Sequence, residues 1–270
     1  MPTARTNHQR DALILDRKGS HSCRQSPQAA FSRLLRHGNR FYGCDASILL
    51  NHEGSERRAG TSKTLRGFEV IDDIKAEVEK SCTATVSCTD ILTAATRDAT
   101  VLLGGSYWRV PYARKDSTTS NEKDADTVPI GRESVIDLLE LFQSKGLNLV
   151  YLVVLSGAHT IGRTSCGAIQ HRRKCSCGGD EYVDLDATTP TTFDSHFYAN
   201  LERKMGLLST DQRLYSESRT LPVVNALIQT PSLFRHQFAV SMVRLANIQV
   251  LTGPHEDGQI RTNCSFVNSY

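Results

Sequence analysis

No stretch of this chain approaches the roughly 18 to 20 consecutive apolar residues that a membrane-spanning helix requires, so a membrane protein of the helical kind is not expected. Nor does it carry a basic stripe interleaved with aromatics. The balance of 32 Lys and Arg against 29 Asp and Glu leaves a net charge of only +3, which argues against a nucleic-acid partner. No internal repeat appears at solenoid periods. The eight cysteines (23, 44, 82, 88, 166, 175, 177 and 264) never form paired CxxC knuckles, which excludes a structural zinc site of that type. The first 28 residues hold one short apolar run, Ala12 to Leu15, among charged and polar neighbours, so no secretory signal peptide is expected.

What is present points elsewhere. Eight cysteines scattered over 270 residues suit disulfide staples made in an oxidising compartment, which sits uneasily with the missing export signal. Residues 1–26 show no convincing periodicity. Pro27 opens a helical pattern, QAAFSRLLRH, followed by the tight turn and buried run GCDASILL (43–50) and a polar loop over 51–64. From Arg66 an amphipathic helix places Val70, Ile71, Ile74 and Val78 on one face. Ser87 is the expected N-cap of the next helix, which Gly104 and Gly105 close. Residues 105–117 form a non-helical connection with the only tryptophan, Trp108. A polar tract ends at Pro129, and ESVIDLLELFQSKG reads as a helix stopped by Gly146. Helical patterns also end near Met205 and cover Leu221–Ile228 and Phe234–Ala246. The chain is therefore expected to be mainly α.

Three groups of residues could carry chemistry. In LSGAHTIGR, an apolar run (Leu147–Leu155) delivers His159 behind Ser156, Gly157 and Ala158. Such a histidine can be a hydrogen-bonded core residue, or it can turn one ring nitrogen toward a large flat group such as haem. Asp186, Thr189, Thr192 and Asp194 place four oxygen-bearing side chains within nine residues, suited to a hard cation such as calcium or to a threonine-rich helix entry. Asp45 and Ser47 repeat that pattern in weaker form beside Gly43. His37, with Arg33 or Arg36, could move a proton between the oxygens of a peroxide while the arginine stabilises the departing charge, or could belong to a solvated basic helix face.

The motifs LSGAHTIGR, GCDASILL, LRGFEVIDDIKAEVEK, TVSCTDIL, LLGGSYWRVPYARKDS, LDATTPTTFD and GQIRTNCSFVN occur in this order. Together they resemble the plant secretory (class III) haem peroxidases over roughly Pro27 to Tyr270. The resemblance implies a mainly α, two-lobed fold with haem b between a distal half (about 27–125) and a proximal half (about 126–250), and a tail over 251–270. It implies a peroxidase that reduces hydrogen peroxide and oxidises small phenolic donors by single electrons, in the response to oxidative stress. Such an enzyme would be exported and monomeric, with neither nucleic acid nor membrane as partner. His159 would be the proximal iron ligand, His37 the distal acid–base and Arg33 its assistant. Thr160, Asp186, Thr189, Thr192 and Asp194 would hold one calcium. Gly43, Asp45, Ser47 and the carbonyl of Phe41 would hold a second, with Glu56 supporting it through water. Pro129 matches the first proline of a Pro-x-Pro at the donor entrance. Cys88 with Cys264, and Cys166 with Cys175, match two family disulfides.

The chain also departs from that family. Counting back from Gly43 without a gap puts Arg33 and His37 on the catalytic positions but replaces a calcium-binding aspartate and a cysteine by Gly38 and Asn39. A gapped count makes Arg36 the arginine instead; the ungapped one keeps the one-turn spacing and is preferred. Thr61, Ser62 and Lys63 stand in place of a Pro-Asn pair. The aspartate that bonds the proximal histidine is expected to fall on Arg219. These losses raise the alternative of a catalytically impaired protein that still binds haem or calcium.

Overall fold

A computed structural model describes residues 44–63, 65–125, 128–166, 169, 182–253 and 258–269. The N-terminal helical pattern, with Arg33, His37, Phe41 and Gly43, lies outside them. Nine α-helices occur among the described residues: α1 (Phe68–Glu79), α2 (Cys88–Leu102), α3 (Glu122–Ala125), α4 (Val135–Ser144), α5 (Leu149–Ser156), α6 (His196–Glu202), α7 (Ser209–Ser216), α8 (Leu221–Gln229) and α9 (Pro231–Ala246). Four short strands, β1 (Asp116–Ser117), β2 (Arg163–Ser165), β3 (Tyr182–Asp184) and β4 (Gly258–Gln259), pair antiparallel as β1 with β4 and β2 with β3. The fold is mainly α. No single described helix is long and apolar enough to cross a membrane.

The chain divides into two compact units. The first takes the described residues of 1–102, 109–127 and 249–270. Its core packs Ile48, Leu49, Phe68 and Ile71 against Cys88, Ile91, Leu92 and Ala95, with Cys264 from the tail. The inward face of α1 is not all apolar: Lys75 is buried there, its ammonium bonded to Glu79 and to the carbonyl of Val86. Ser87 caps α2, accepting from the Asp90 N–H at 3.1 Å. Asp116, fully buried, completes that cap by accepting from the Cys88 and Thr89 N–H groups at 3.0 and 2.8 Å, and it also accepts from the Arg261 N–H at 3.0 Å. The orphan amides of a helix start thus hold the C-terminal tail in place. A Cys88–Cys264 disulfide makes the same connection covalently.

The second unit takes Leu103–Trp108 and Val128–Ile248. A full capping box, Ser134 with Asp137, starts α4. Gly146 follows at φ 72°, and Asn148 caps α5 by accepting from the Val150 and Tyr151 N–H groups. Helix α5 is apolar, and four consecutive residues, Leu152 to Leu155, are buried, so the helix is covered all round over that turn. Around it Phe193, Phe234 and Phe238 form mutual ring contacts with centroids 4.6 to 5.8 Å apart, and Trp108 meets Phe238 edge-on.

The short helix α3 lies in the tract read as a polar link, the four short strands give no sequence signal, and α7 also escapes the sequence reading. Helix α7, STDQRLYS, has no apolar face long enough to produce a 3.6-residue period, yet it buries Thr210, Asp211 and Leu214.

Candidate functional site

Helix α5 ends at Ser156 and the chain tightens into a 3-10 turn, Gly157–Ile161. The small residues are needed here. A Cβ on Gly157 would collide with Tyr198 Oη and stand 2.5 Å from Phe234 Cε2. Tyr198, fully buried, donates its hydroxyl to the carbonyls of Val153 and Val154 at 3.0 and 3.3 Å, pinning the last turn of α5. Burial, together with the nearby Asp211 charge, pushes this phenol well above its usual range, so it stays protonated.

His159 leaves this turn with one ring nitrogen occupied. Its Nδ1 lies 2.9 and 3.0 Å from the two carboxylate oxygens of Asp211, and its ring meets Phe197 edge-on at 6.0 Å. With Nδ1 donating to the carboxylate oxygens, the neutral imidazole carries its proton on Nδ1 and keeps its lone pair on Nε2. Burial alone would lower the imidazole pKa, but the charge and hydrogen bond of Asp211 hold it above its ordinary value. Asp211 is itself almost entirely buried, at the third position of α7.

This corrects the expectation that the carboxylate partner of His159 is lost to Arg219. Arg219 is an exposed residue paired with Glu217 at 3.2 Å. The missed signal was local: Ser209-Thr210-Asp211 after Leu207 and Leu208 is an acid in the first turn of a short helix, stabilised there by the helix dipole.

Thr160, the next residue, points to a second cluster. Its hydroxyl lies 3.2 Å from Asp186 Oδ2 and 3.4 Å from the Thr192 carbonyl. Thr189 Oγ1 lies 3.4 Å from Asp186 Oδ2 and 3.0 Å from Asp194 Oδ1. All five predicted residues therefore converge. Two further residues that the sequence reading passed over join them: Asn200 donates to Asp186 Oδ1 at 2.7 Å, and Thr188 donates to Asn200 at 2.8 Å. His196 shares Asp194 at 3.1 Å. Among the described residues no three His, Cys, Asp or Glu side chains form a metal-sized group. A cation here would depend on threonine and carbonyl oxygens beside two carboxylates, a hard-oxygen donor set that fits calcium.

In the first unit Asp45, Ser47 and Glu56 are all buried. The Ser47 N–H donates to Asp45 Oδ1 at 3.0 Å, while its buried hydroxyl has no hydrogen-bond partner among the described residues. A buried hydroxyl with spare acceptor capacity beside a buried carboxylate is what an oxygen-seeking cation would use. Their expected companions, Phe41 and Gly43, lie outside the described residues, as do the catalytic candidates His37 and Arg33. Thr61 and Ser62 end a 3-10 turn in which the Ser62 hydroxyl donates to the Glu56 carbonyl. Cys166 is disulfide-bonded, and Cys175 lies outside the described residues. Cys44 and Cys82 are free thiols, the first buried and the second exposed. Pro129 is half-buried in the loop leading to α4.

Residues 15–230 match the peroxidase family model. The chain is 52% identical over 264 residues to Peroxidase 7 of Arabidopsis thaliana, covering 89% of this chain and 75% of that one. It is 42% identical over 262 residues to Peroxidase 2 of Oryza sativa subsp. indica, covering 89% and 82%. Peroxidase 71 of Arabidopsis thaliana is 40% identical over 250 residues, covering 84% and 76%.

Proposed function

The chain belongs to the plant class III peroxidase family, and from that premise we propose that it binds haem b through Nε2 of His159 and uses hydrogen peroxide to oxidise small phenolic donors. The observation that supports this reading is the Asp211–His159 pair, which occupies Nδ1 and leaves Nε2 as the one nitrogen with a free lone pair. Haem, when bound, supplies the iron-centred redox chemistry that couples peroxide reduction to donor oxidation. The balance is one peroxide and two phenols to two waters and two phenoxyl radicals.

The chain's own groups do the rest. Asp211 fixes the tautomer and orientation of His159 and makes the imidazole a stronger electron donor. His37 takes a proton from one peroxide oxygen and returns it to the other, and Arg33 stabilises the negative charge on the departing oxygen. The cluster of Thr160, Asp186, Thr189, Thr192 and Asp194 holds calcium next to the histidine turn. A second calcium sits with Phe41, Gly43, Asp45, Ser47 and Glu56. Pro129 lines the donor entrance, Cys166 pairs with Cys175, and residues 27–270 make one peroxidase domain. The protein is exported and works as a monomer in the response to oxidative stress.

The alternative of an impaired haem- or calcium-binding relative drew part of its force from the expected loss of the proximal carboxylate. Asp211 removes that part.

Steady-state oxidation of a simple phenol by the haem-reconstituted protein tests the reading. Turnover that needs hydrogen peroxide and falls by about 100-fold or more in His37→Ala supports it, the scale on which general acid–base groups act. A reconstituted protein that turns over no faster than free haemin would overturn it.

A further inference from the structure

The loop that carries Pro129 is built around its own acid. The Ile130 N–H donates to Glu133 Oε1 at 2.7 Å, and the Gly131 and Arg132 N–H groups donate to Oε2 at 3.0 and 2.9 Å. Three successive amides converging on one carboxylate form an anion-binding nest, filled here from within the chain. The turn needs Gly131, whose φ of 92° a side chain resists and a proline cannot adopt. A Cβ there would also stand 3.2 Å from Leu208 Cδ2. The third position of the Pro-x-Pro pattern is thus glycine for a structural reason.

This loop is fastened to α7. The helix starts at Ser209 with no side-chain cap from Leu208, and one of its orphan first-turn amides, Thr210 N–H, donates to the Gly131 carbonyl at 3.2 Å. One residue beyond Gln212, Arg213 reaches back and donates through Nη1 to the carbonyls of Arg132 and Glu133 at 2.8 and 2.7 Å. Asp211 sits between these two attachment points. From the other side, Gln212 ties α7 to the carbonyl of Leu201 at 2.8 Å and to the Gly206 N–H at 3.1 Å. Releasing the loop therefore lets the first turn shift without detaching the helix.

We propose that Glu133 and Arg213 are positioning residues for the proximal histidine: the nest shapes the loop, the loop caps and clamps the start of α7, and that turn sets the Asp211 carboxylate against His159 Nδ1. The donor-entrance loop and the iron-ligand hydrogen bond are then one mechanical unit. The inference rests on the reading of His159 as the iron ligand, but its mechanical half can be measured without haem.

The test uses the 270-residue chain and three variants, Glu133→Gln, Arg213→Met and Arg213→Lys. A glutamine keeps the shape of Glu133 but offers one acceptor oxygen where the nest uses two. Lysine can still donate to the two loop carbonyls, whereas methionine cannot. Amide hydrogen exchange is read over 129–133 and 209–216, before and after haem reconstitution. The iron–imidazole stretching band of the reduced, reconstituted protein is read by resonance Raman. In Glu133→Gln and Arg213→Met, exchange over 209–213 should rise about fivefold, the change one net hydrogen bond sets. The iron–imidazole band should shift to lower frequency in the same two variants, and Arg213→Lys should restore both readouts toward wild type. Faster exchange confined to 130–132, or a loosened α7 with an unmoved band, would overturn the proposal. A wild-type chain that takes up no haem counts against the reading of His159, and the exchange data still decide the clamp.

Discussion

Asp211 holds His159 by both carboxylate oxygens, at 2.9 and 3.0 Å from Nδ1, although the two residues are 52 positions apart and belong to different helical segments. Replacing the acid tests what that contact does. Asp211→Asn keeps the volume and one acceptor but loses the charge. It should lower haem affinity or peroxidase activity by about 10- to 100-fold, the usual effect of losing a ligand's carboxylate partner. Arg219→Asp should change neither, because Arg219 is exposed and faces Glu217. Haemin titration and phenol turnover on both variants check this.

Gly157 is a packing requirement. Its missing side chain makes room for Tyr198 Oη and Phe234, so Gly157→Ala forces both to move and should cost about 1–3 kcal/mol. The double variant Gly157→Ala with Tyr198→Phe should recover part of that loss, since the hydroxyl is one of the colliding groups. Urea midpoints for the two singles and the double would show the coupling as non-additivity.

The Cys88–Cys264 disulfide joins residues 176 apart and ties the tail to the start of α2. Replacing both cysteines by alanine should cost about 2–5 kcal/mol, the range seen when a native disulfide is removed. Asp116 would still bond Cys88 N and Arg261 N, so the tail should remain docked at low denaturant. The checks are the urea midpoint and amide exchange at Arg261.

The two free thiols among the described residues should differ in chemistry. Cys82 is exposed and should react with a thiol reagent in the native protein. Cys44 is buried, and burial raises its pKa to about 11 from the ordinary 9.0, with the Arg114 charge and a contact to Thr93 opposing. The folded state therefore favours the neutral thiol. Its contribution to stability is fully present below about pH 9 and is lost as the pH rises toward 11. Cys44→Ser should flatten that alkaline loss, which stability measurements between pH 8 and 11 would show. Reaction of Cys44 in native protein at neutral pH would contradict the assignment.

Much of this fold could be read from local signals. Ser87 and Gly146 mark helix ends by capping chemistry that needs only near neighbours. The apolar run before His159 is the buried helix it suggests, whereas Thr160 beside Asp186, Thr189 and Asp194 is what the family resemblance implies and local signals do not show. Apart from the local first-turn acid at Asp211, what went unread was set by distant contacts. Lys75 lies on the apolar face of α1 because Glu79 and the Val86 carbonyl receive it there. Helix α7 has little apolar periodicity because a polar residue, Asp211, is the one it delivers inward. The family resemblance put that acid's position at Arg219, while the residue that reaches His159 lies eight positions earlier.

The central claim is that His159 holds haem iron through Nε2. The most direct measurement is an absorption titration of the full chain with haemin, beside His159→Ala. The account predicts that the wild type saturates at about one haem per chain with a histidine-ligated ferric spectrum, and that His159→Ala loses that spectrum until free imidazole is added. A wild-type chain that binds no haem, or a His159→Ala spectrum indistinguishable from wild type, would contradict it.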